Sequence, residues 1–224
     1  TQAGFYNQAS QQMREQQAKV FETQAQLSSG KKLLKPSDDP ALATKINNLK
    51  SQIDVNQRYL TNLNRMEDTL KMQESTVAGS LELVSRIKEL SIQGANDTYS
   101  ASDRKTMAIE VKELIRALVD LGNMRGTDGA YLFSGYSQGQ APFSESSTGA
   151  VTYTGSTDSL KVMVDDGRRM QLGISGADIF GSVEHLNTST GATSRIDLFA
   201  SLNSMHEALL TNDGDAIRNN IEKV

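Results

Sequence analysis

The chain has no cysteine and no tryptophan, and only three prolines in 224 residues. Without cysteine there is no disulfide to form, no thiolate nucleophile and no thiolate metal site. Aromatic residues make up only 5%. That is thin material for a thick globular core and points instead to a slender helical bundle. Charged residues are 22% and the formal net charge is -4, so the basic footprint of a nucleic-acid or anionic-membrane binder is missing. No apolar run approaches the roughly 18 residues that a membrane-spanning helix needs. The first residues, Thr1 to Gln8, show neither the basic nor the apolar part of a cleaved signal peptide.

Catalytic groupings are equally scarce. The two histidines, His185 and His206, fall in a polar linker and a helix respectively, and neither belongs to a spaced metal-ligand pair. With no cysteine and no oriented histidine, nucleophilic catalysis has little to build on. No Gly-rich phosphate loop occurs. The adjacent carboxylates Asp38-Asp39 read as helix capping and Asp165-Asp166 as turn chemistry. Asn96-Asp97-Thr98 and Asn187-Thr188-Ser189 match the glycosylation triplet, as many loops do by chance. The reading is a non-enzyme with no catalytic residue, no metal and no cofactor.

What the chain does have is length of pattern. Asp39 can cap a helix and Pro40 suits its first position, where the missing N–H is not needed. From there to Gly94 no further proline occurs. Leu42, Leu49, Leu63, Leu70, Val77 and Val84 lie on one seven-residue series, with Ile46, Ile53, Leu60 and Leu81 on a second. This is the stripe of a long helix lying along partner helices, on the order of 80 Å at about 1.5 Å per residue. Leu42, Leu49, Leu63 and Leu70 are expected to form the internal seam of the bundle.

The residues before it carry Tyr6, Met13, Val20 and Leu27, also spaced by seven, but with Ala9, Gln16 and Thr23 as weak companions. Eight of the first thirty residues are Gln. Such a helix gains little alone, because helices draw most of their stability from a buried face. It reads as one that waits for a partner, either another subunit or a returning helix. Gly30 suits a left-handed stop, and Leu33 to Asp39 forms a connector in which Pro36 extends Lys35.

After the turn at 96–100, Asp103 or Ser102 can open a second long helix, antiparallel to the first, with Met107, Leu114 and Leu121 in one series and Val111 and Leu118 in the other. From Gly126 the texture changes to Gly, Ser and Thr. Leu160, Val162 and Val164 alternate, then Met170, Leu172 and Ile174, around Asp166-Gly167; this is a β-hairpin, and Val151-Thr152-Tyr153 adds a strand. Residues 181–194 read as polar linker. Ile196, Phe199, Leu202, Met205 and Leu209 resume a helix, and Ile217, Ile221 and Val224 continue the pattern to the last residue. A returning helix is expected beyond it. The fold expected is mainly α with a small β insert: an elongated antiparallel long-helix bundle or coiled coil plus a β-rich outer domain. Its parts are 1–35, assembly helix and connector; 36–127, long-helix rod; 128–191, β-rich insert; and 192–224, returning helices.

The stretch Leu27-Ser28-Ser29-Gly30-Lys31-Lys32-Leu33-Leu34-Lys35-Pro36-Ser37-Asp38-Asp39-Pro40-Ala41 closely resembles the N-terminal signature of bacterial flagellins and their relatives. Pro36 and Pro40 resemble the hook-associated protein 3 branch, the hook–filament junction proteins. Asp128-Gly129-Ala130-Tyr131-Leu132-Phe133-Ser134-Gly135-Tyr136 with Ala141-Pro142-Phe143 is similar to that branch as well. So are Tyr153-Thr154-Gly155, Asp166-Gly167-Arg168 and Gly176-Ala177-Asp178-Ile179-Phe180.

The resemblance implies a secreted structural subunit of the extracellular flagellum, passed through the flagellar type III apparatus without a cleaved signal. Its implied partners are a homo-oligomeric ring of its own subunits, the first hook-associated protein on the hook side, flagellin on the filament side and an export chaperone, with neither nucleic acid nor membrane. Tyr6, Met13, Val20 and Leu27 carry over to the inner terminal helix. Leu33, Leu34, Pro36, Asp38, Asp39 and Pro40 carry over to the connector near subunit contacts. The family's long C-terminal helix does not follow Val224, so the resemblance implies that half of the inner-tube surface is missing from this sequence. Two other readings stay open: a short flagellin, and a secreted helical adhesin or effector whose insert binds a host ligand or glycan through Tyr131, Phe143 or Tyr153.

Overall fold

Helical pattern and punctuation set the element order. A computed structural model of the chain describes residues 2–146, 149–181, 183–186 and 193–224. Helix α1 runs Gln2–Ser29 and α2 runs Pro40–Gly94. Between them Gly30 takes the left-handed conformation (φ 63°) that ends α1. Helix α3 spans Ala101–Gly122. The β part follows: β1 (Phe143–Glu145) pairs with β2 (Val151–Tyr153), and β3 (Lys161–Asp165) with β4 (Arg168–Gln171). After the short α4 (Gly176–Ile179), β5 (Val183–Leu186) pairs with β6 (Thr193–Ile196), and α5 (Leu198–Leu210) and α6 (Gly214–Ile221) close the sequence. The expected class, mainly helical with a small antiparallel β part, is the one observed.

The chain divides into two units, Thr1–Arg58 and Tyr59–Val224. Within the first, α1 and the opening of α2 are joined by the connector, and Ala43 is the one buried residue among those described.

The second unit holds the core. Its part of α2 runs antiparallel to α3, with Arg86 Nε donating to Glu110 Oε1 at 2.9 Å and a Cβ at Gly79 lying 3.7 Å from Leu121. Ile87 and Leu90 of α2, Val111, Ile115 and Leu118 of α3, Leu202, Met205 and Leu209 of α5 and Ile217 of α6 form one buried cluster. Phe143 extends it into the β part, standing 5.4 Å from Phe180 edge-on and 5.3 Å from Phe199. Such ring pairs add about 0.5–1.5 kcal/mol beyond the area they bury. Gly122 and Gly176 allow that approach, since a Cβ on either would come within 3 Å of the Phe143 ring.

Several expectations are corrected. The buried face of α2 in this unit is Met66, Gln73, Ser80 and Ile87 with Thr76, Leu90 and Ser91; of the expected seam Leu63 is half-buried and Leu70 exposed, and Leu60 and Leu81 of the second series are exposed. The face toward α3 tolerates polar residues because the hydroxyls of Thr76, Ser80 and Ser91 bond carbonyls one turn back at 2.7–2.9 Å. In the first unit Leu49 and Ile53 are likewise exposed.

Helix α3 is opened by neither Asp103 nor Ser102. Ser100 is the N-cap and Asp103 completes the capping box at the third position. The D-G turn holds, with Asp166 and Gly167 between paired Asp165 and Arg168 and Gly167 at φ 74°. The second alternating run does not hold: β4 ends at Gln171, only Leu172 of the three is buried, and Met170 and Ile174 are exposed. The expected linker at 181–194 contains β5 and the start of β6, with Val183 opposite Ile196; Asn187-Thr188-Ser189 lies outside the described residues. Ile196 accordingly belongs to β6, and Asp197 caps α5 by accepting from Ala200 N at 3.0 Å.

Candidate functional site

The sequence places the candidate surface in the first unit. In α1 the four side chains recur every two turns on one face, because seven residues fall about 20° short of two full helical turns. They are strongly exposed: Tyr6 73%, Met13 73%, Val20 55% and Leu27 84%. Phe5 and Phe21, also exposed, flank that line on opposite sides. Sequence reasoning passed over both, since neither is on the seven-residue series. Their size alone in a chain with so few aromatics was the available signal.

The connector is ordered by its own polar groups. Gln26 Nε2 reaches forward to Lys32 O at 3.0 Å, tying the last turn of α1 to the residues after it. Asp38 Oδ2 accepts from Lys35 N at 2.8 Å, and Asp38 N donates to Lys35 O at 3.1 Å, so Asp38 closes a turn around Pro36. It does not cap α2, as the reading of the two carboxylates expected. Asp39 alone does so, its Oδ1 accepting from Leu42 N at 2.9 Å, with Pro40 as the first helical residue. Leu33 is half-buried and Leu34 exposed. The two aspartates thus have separate tasks, one shaping the bend and one starting the helix.

An uncharged apolar line flanked by Gln, with a fixed bend at its end, suits burial against another helix and offers no reactive group. Elsewhere, His206 lies in α5 with Nδ1 3.5 Å from Glu207 Oε1, and His185 lies in β5. Among the described residues no three His, Asp or Glu side chains are grouped to hold a metal ion. No described helix is long and apolar enough to cross a membrane.

Tyr131, Phe143 and Tyr153, which the adhesin reading set on an outer binding face, have internal tasks. Phe143 is core. The Tyr153 hydroxyl donates toward Phe133 O and Ser156 O, at 2.9 and 2.8 Å. Burial pushes its phenol pKa upward. Tyr131 lies under the Arg125 guanidinium, 4.2 Å from the ring centre, and its hydroxyl accepts from Arg125 Nη2 at 2.7 Å.

Known proteins show the family of the chain. The chain is 31% identical over 202 residues to flagellar hook-associated protein 3 of Escherichia coli, and 29% identical over 209 residues to that of Salmonella typhimurium. Those matches take in 89% and 92% of this chain but 63% and 64% of the relatives, so it spans less than two thirds of their length. In fold it is similar to FlgL of Xanthomonas campestris, with a TM-score of 0.63, 22% identity and coverage of 77% of this chain and 85% of that one. Residues 2–138 match the bacterial flagellin N-terminal helical region. That match takes in α1, the connector, α2 and α3, and the chain belongs to the bacterial flagellin family.

Proposed function

We propose that this chain is a structural subunit of the bacterial flagellum, standing at the junction between hook and filament. The first hook-associated protein lies on the hook side and flagellin on the filament side, and copies of the chain form the ring between them. One observation carries the reading: an apolar line on α1 left exposed at every one of its four positions, in a family of flagellar subunits with hook-associated relatives. Exposed apolar side chains in that regular spacing mark a surface for a partner. In the assembled state the residues of 1–35 supply the inner contacts and the connector at Leu33, Leu34, Pro36, Asp38, Asp39 and Pro40 sets their direction. The helices of 36–127 and 192–224 carry the load, and 128–191 is the outer insert. Export proceeds through the flagellar type III route with a chaperone, and the mature location is extracellular.

A short flagellin is the second reading, favoured by the family match itself, which spans α1 to α3 and is common to filament proteins. Deleting the gene and imaging the cells separates the two. Intact hooks without filaments, and flagellin released to the medium, are expected for a junction subunit. Hooks with no flagellin in the medium would make this chain the filament subunit. Normal flagella would remove both readings and leave the adhesin or effector.

A further inference from the structure

Helix α2 carries two amide side chains on one face, Asn62 and Gln73, eleven residues or three turns apart. Asn62 Nδ2 donates to Met163 O at 2.7 Å. Gln73 Nε2 donates to Leu132 O at 2.7 Å and to Ile174 O at 2.9 Å, while its Oε1 accepts from Ile174 N at 3.0 Å. Its amide therefore treats Ile174 as a neighbouring strand would, taking the N–H and the C=O together. Gln73 is only 3% exposed, so its end of these bonds is away from water, while Ile174 on the other side is exposed. Gly173 makes the approach possible: a Cβ there would stand 2.8 Å from Gln73 Oε1 and 2.9 Å from Nε2.

Met163 lies within β3 and Ile174 three residues beyond β4, and the apolar anchorage of the hairpin is slight. Val164 and Leu172 are buried, but β4 is exposed at every position. Residues 172–174 border an open cleft of about 330 Å³ that is also lined by Arg65, Thr69, Met72 and Leu132. An exposed ion pair, Arg65 with Asp128, stands at the same place. The helical core of this unit is held differently, by dense apolar contact with Ile87, Val111, Leu118 and Leu202 fully buried.

We propose that β3, β4 and residues 172–174 form a strap clasped to α2 by Asn62 and Gln73, and that the strap opens as a unit while the helical core stays closed. The clasp is made of directional bonds that fail together once the amide leaves Ile174, and each contributes modestly in net terms. Core packing is untouched by that event, so the strap has its own, lower opening free energy. Opening widens the cleft beside Arg65.

Native-state hydrogen exchange tests this on the unmodified chain, on Gln73→Leu and on Gly173→Ala. The glycine variant leaves α2 unaltered and pushes the amide off from the other side. In the unmodified chain the amide of Ile174, which donates to Gln73, should exchange by a local opening, while those of Val111, Leu118, Leu202 and Met205 require global unfolding. Both variants should speed exchange at Ile174 by about tenfold or more, the loss of one to two hydrogen bonds, and keep the gap in opening free energy between Ile174 and the four core amides. A single opening free energy for Ile174 and the core amides would overturn the proposal, and so would an unchanged Ile174 amide. If either variant fails to fold, the unmodified chain still decides, since a single opening free energy for strap and core removes the strap.

Discussion

Residues 1–58 and residues 59–224 are built from the same helical grammar and end in opposite states. In the second unit Ile87, Val111, Leu118, Leu202, Met205 and Leu209 lose essentially all contact with water. In the first, Tyr6, Met13, Val20, Leu27, Leu49 and Ile53 keep about half of theirs or more, and Ala43 is the one buried residue described. Both carry aliphatic side chains at seven-residue spacing. What separates them is supply of a second apolar surface within the chain. Helices α3, α5 and α6 and the Phe143 ring cluster cover one stretch of α2, while no described element does the same for α1. A periodic stripe therefore names a face that can be buried and is silent about what buries it.

The sharpest way to break the comparison is to remove the same kind of side chain from each half. Leu202→Ala deletes a fully buried side chain between α5 and its neighbours. It should cost roughly 2–5 kcal/mol, the range for large-to-small changes in a packed core. Urea unfolding followed by helical circular dichroism would read it. A cost under 1 kcal/mol would mean that the second unit is loosely packed and the contrast false.

Filling space should cost somewhat less than emptying it. Gly176→Ala sets a methyl 2.8 Å from the Tyr153 ring and 2.9–3.0 Å from the Phe143 ring. Overpacking of that kind destabilises by about 1–3 kcal/mol. A thermal midpoint unchanged from the parent would show that the ring cluster can yield, and that the β part is less firmly joined to the helices than its geometry implies.

These two outcomes bear on how much of the molecule was legible beforehand. Helix ends were readable where chemistry is local: Gly30 as a left-handed stop, Asp39 as cap and Pro40 as first residue each follow from backbone requirements. The D-G turn of the β3–β4 hairpin was readable for the same reason. The buried face of α2 was not. Gln73 lies in that face because Ile174, a hundred residues away, supplies its partners, and no local pattern marks a glutamine as buried. The β5–β6 pair was hidden by its polar composition. For the candidate surface, the Tyr6-to-Leu27 line and its flanking bend could be listed from sequence, yet the separate tasks of Asp38 and Asp39 depend on which backbone N–H each one meets.

A smaller effect lies at the start of α3. The Ser100 hydroxyl accepts from Asp103 N at 3.3 Å and bonds Asp103 Oδ2 at 2.7 Å, while Ser100 N donates to the same carboxylate oxygen at 3.0 Å. Ser100→Ala should cost about 1 kcal/mol. The hydroxyl, and then the backbone N–H of Ser100, hold the Asp103 carboxyl below its ordinary value of 3.8. The unfolded chain therefore binds this proton more readily than the folded one. The carboxylate's contribution is full above pH 3.8 and is lost as pH falls below that through the folded-state value. Ser100→Ala should flatten this part of the acid unfolding curve. An identical acid limb in parent and variant would show that the capping box does not form in solution.

The smallest effect on stability belongs to α1, and there the comparison is decided. Replacing Val20 and Leu27 with Asp removes two side chains that are already mostly in water, 55% and 84% exposed. Exposed positions of this kind change stability by about 0.5 kcal/mol or less, so the unfolding midpoint of the isolated chain should hardly move. Incorporation into flagella should nevertheless fall sharply, because a carboxylate placed in a buried helix contact must be desolvated without a partner. Secretion and incorporation measured together in a complemented deletion strain would separate an export fault from an assembly fault. Normal secretion with absent filaments places the lost contact at assembly. Normal filaments would mean that this line, although apolar and open to water, is not where neighbouring subunits meet.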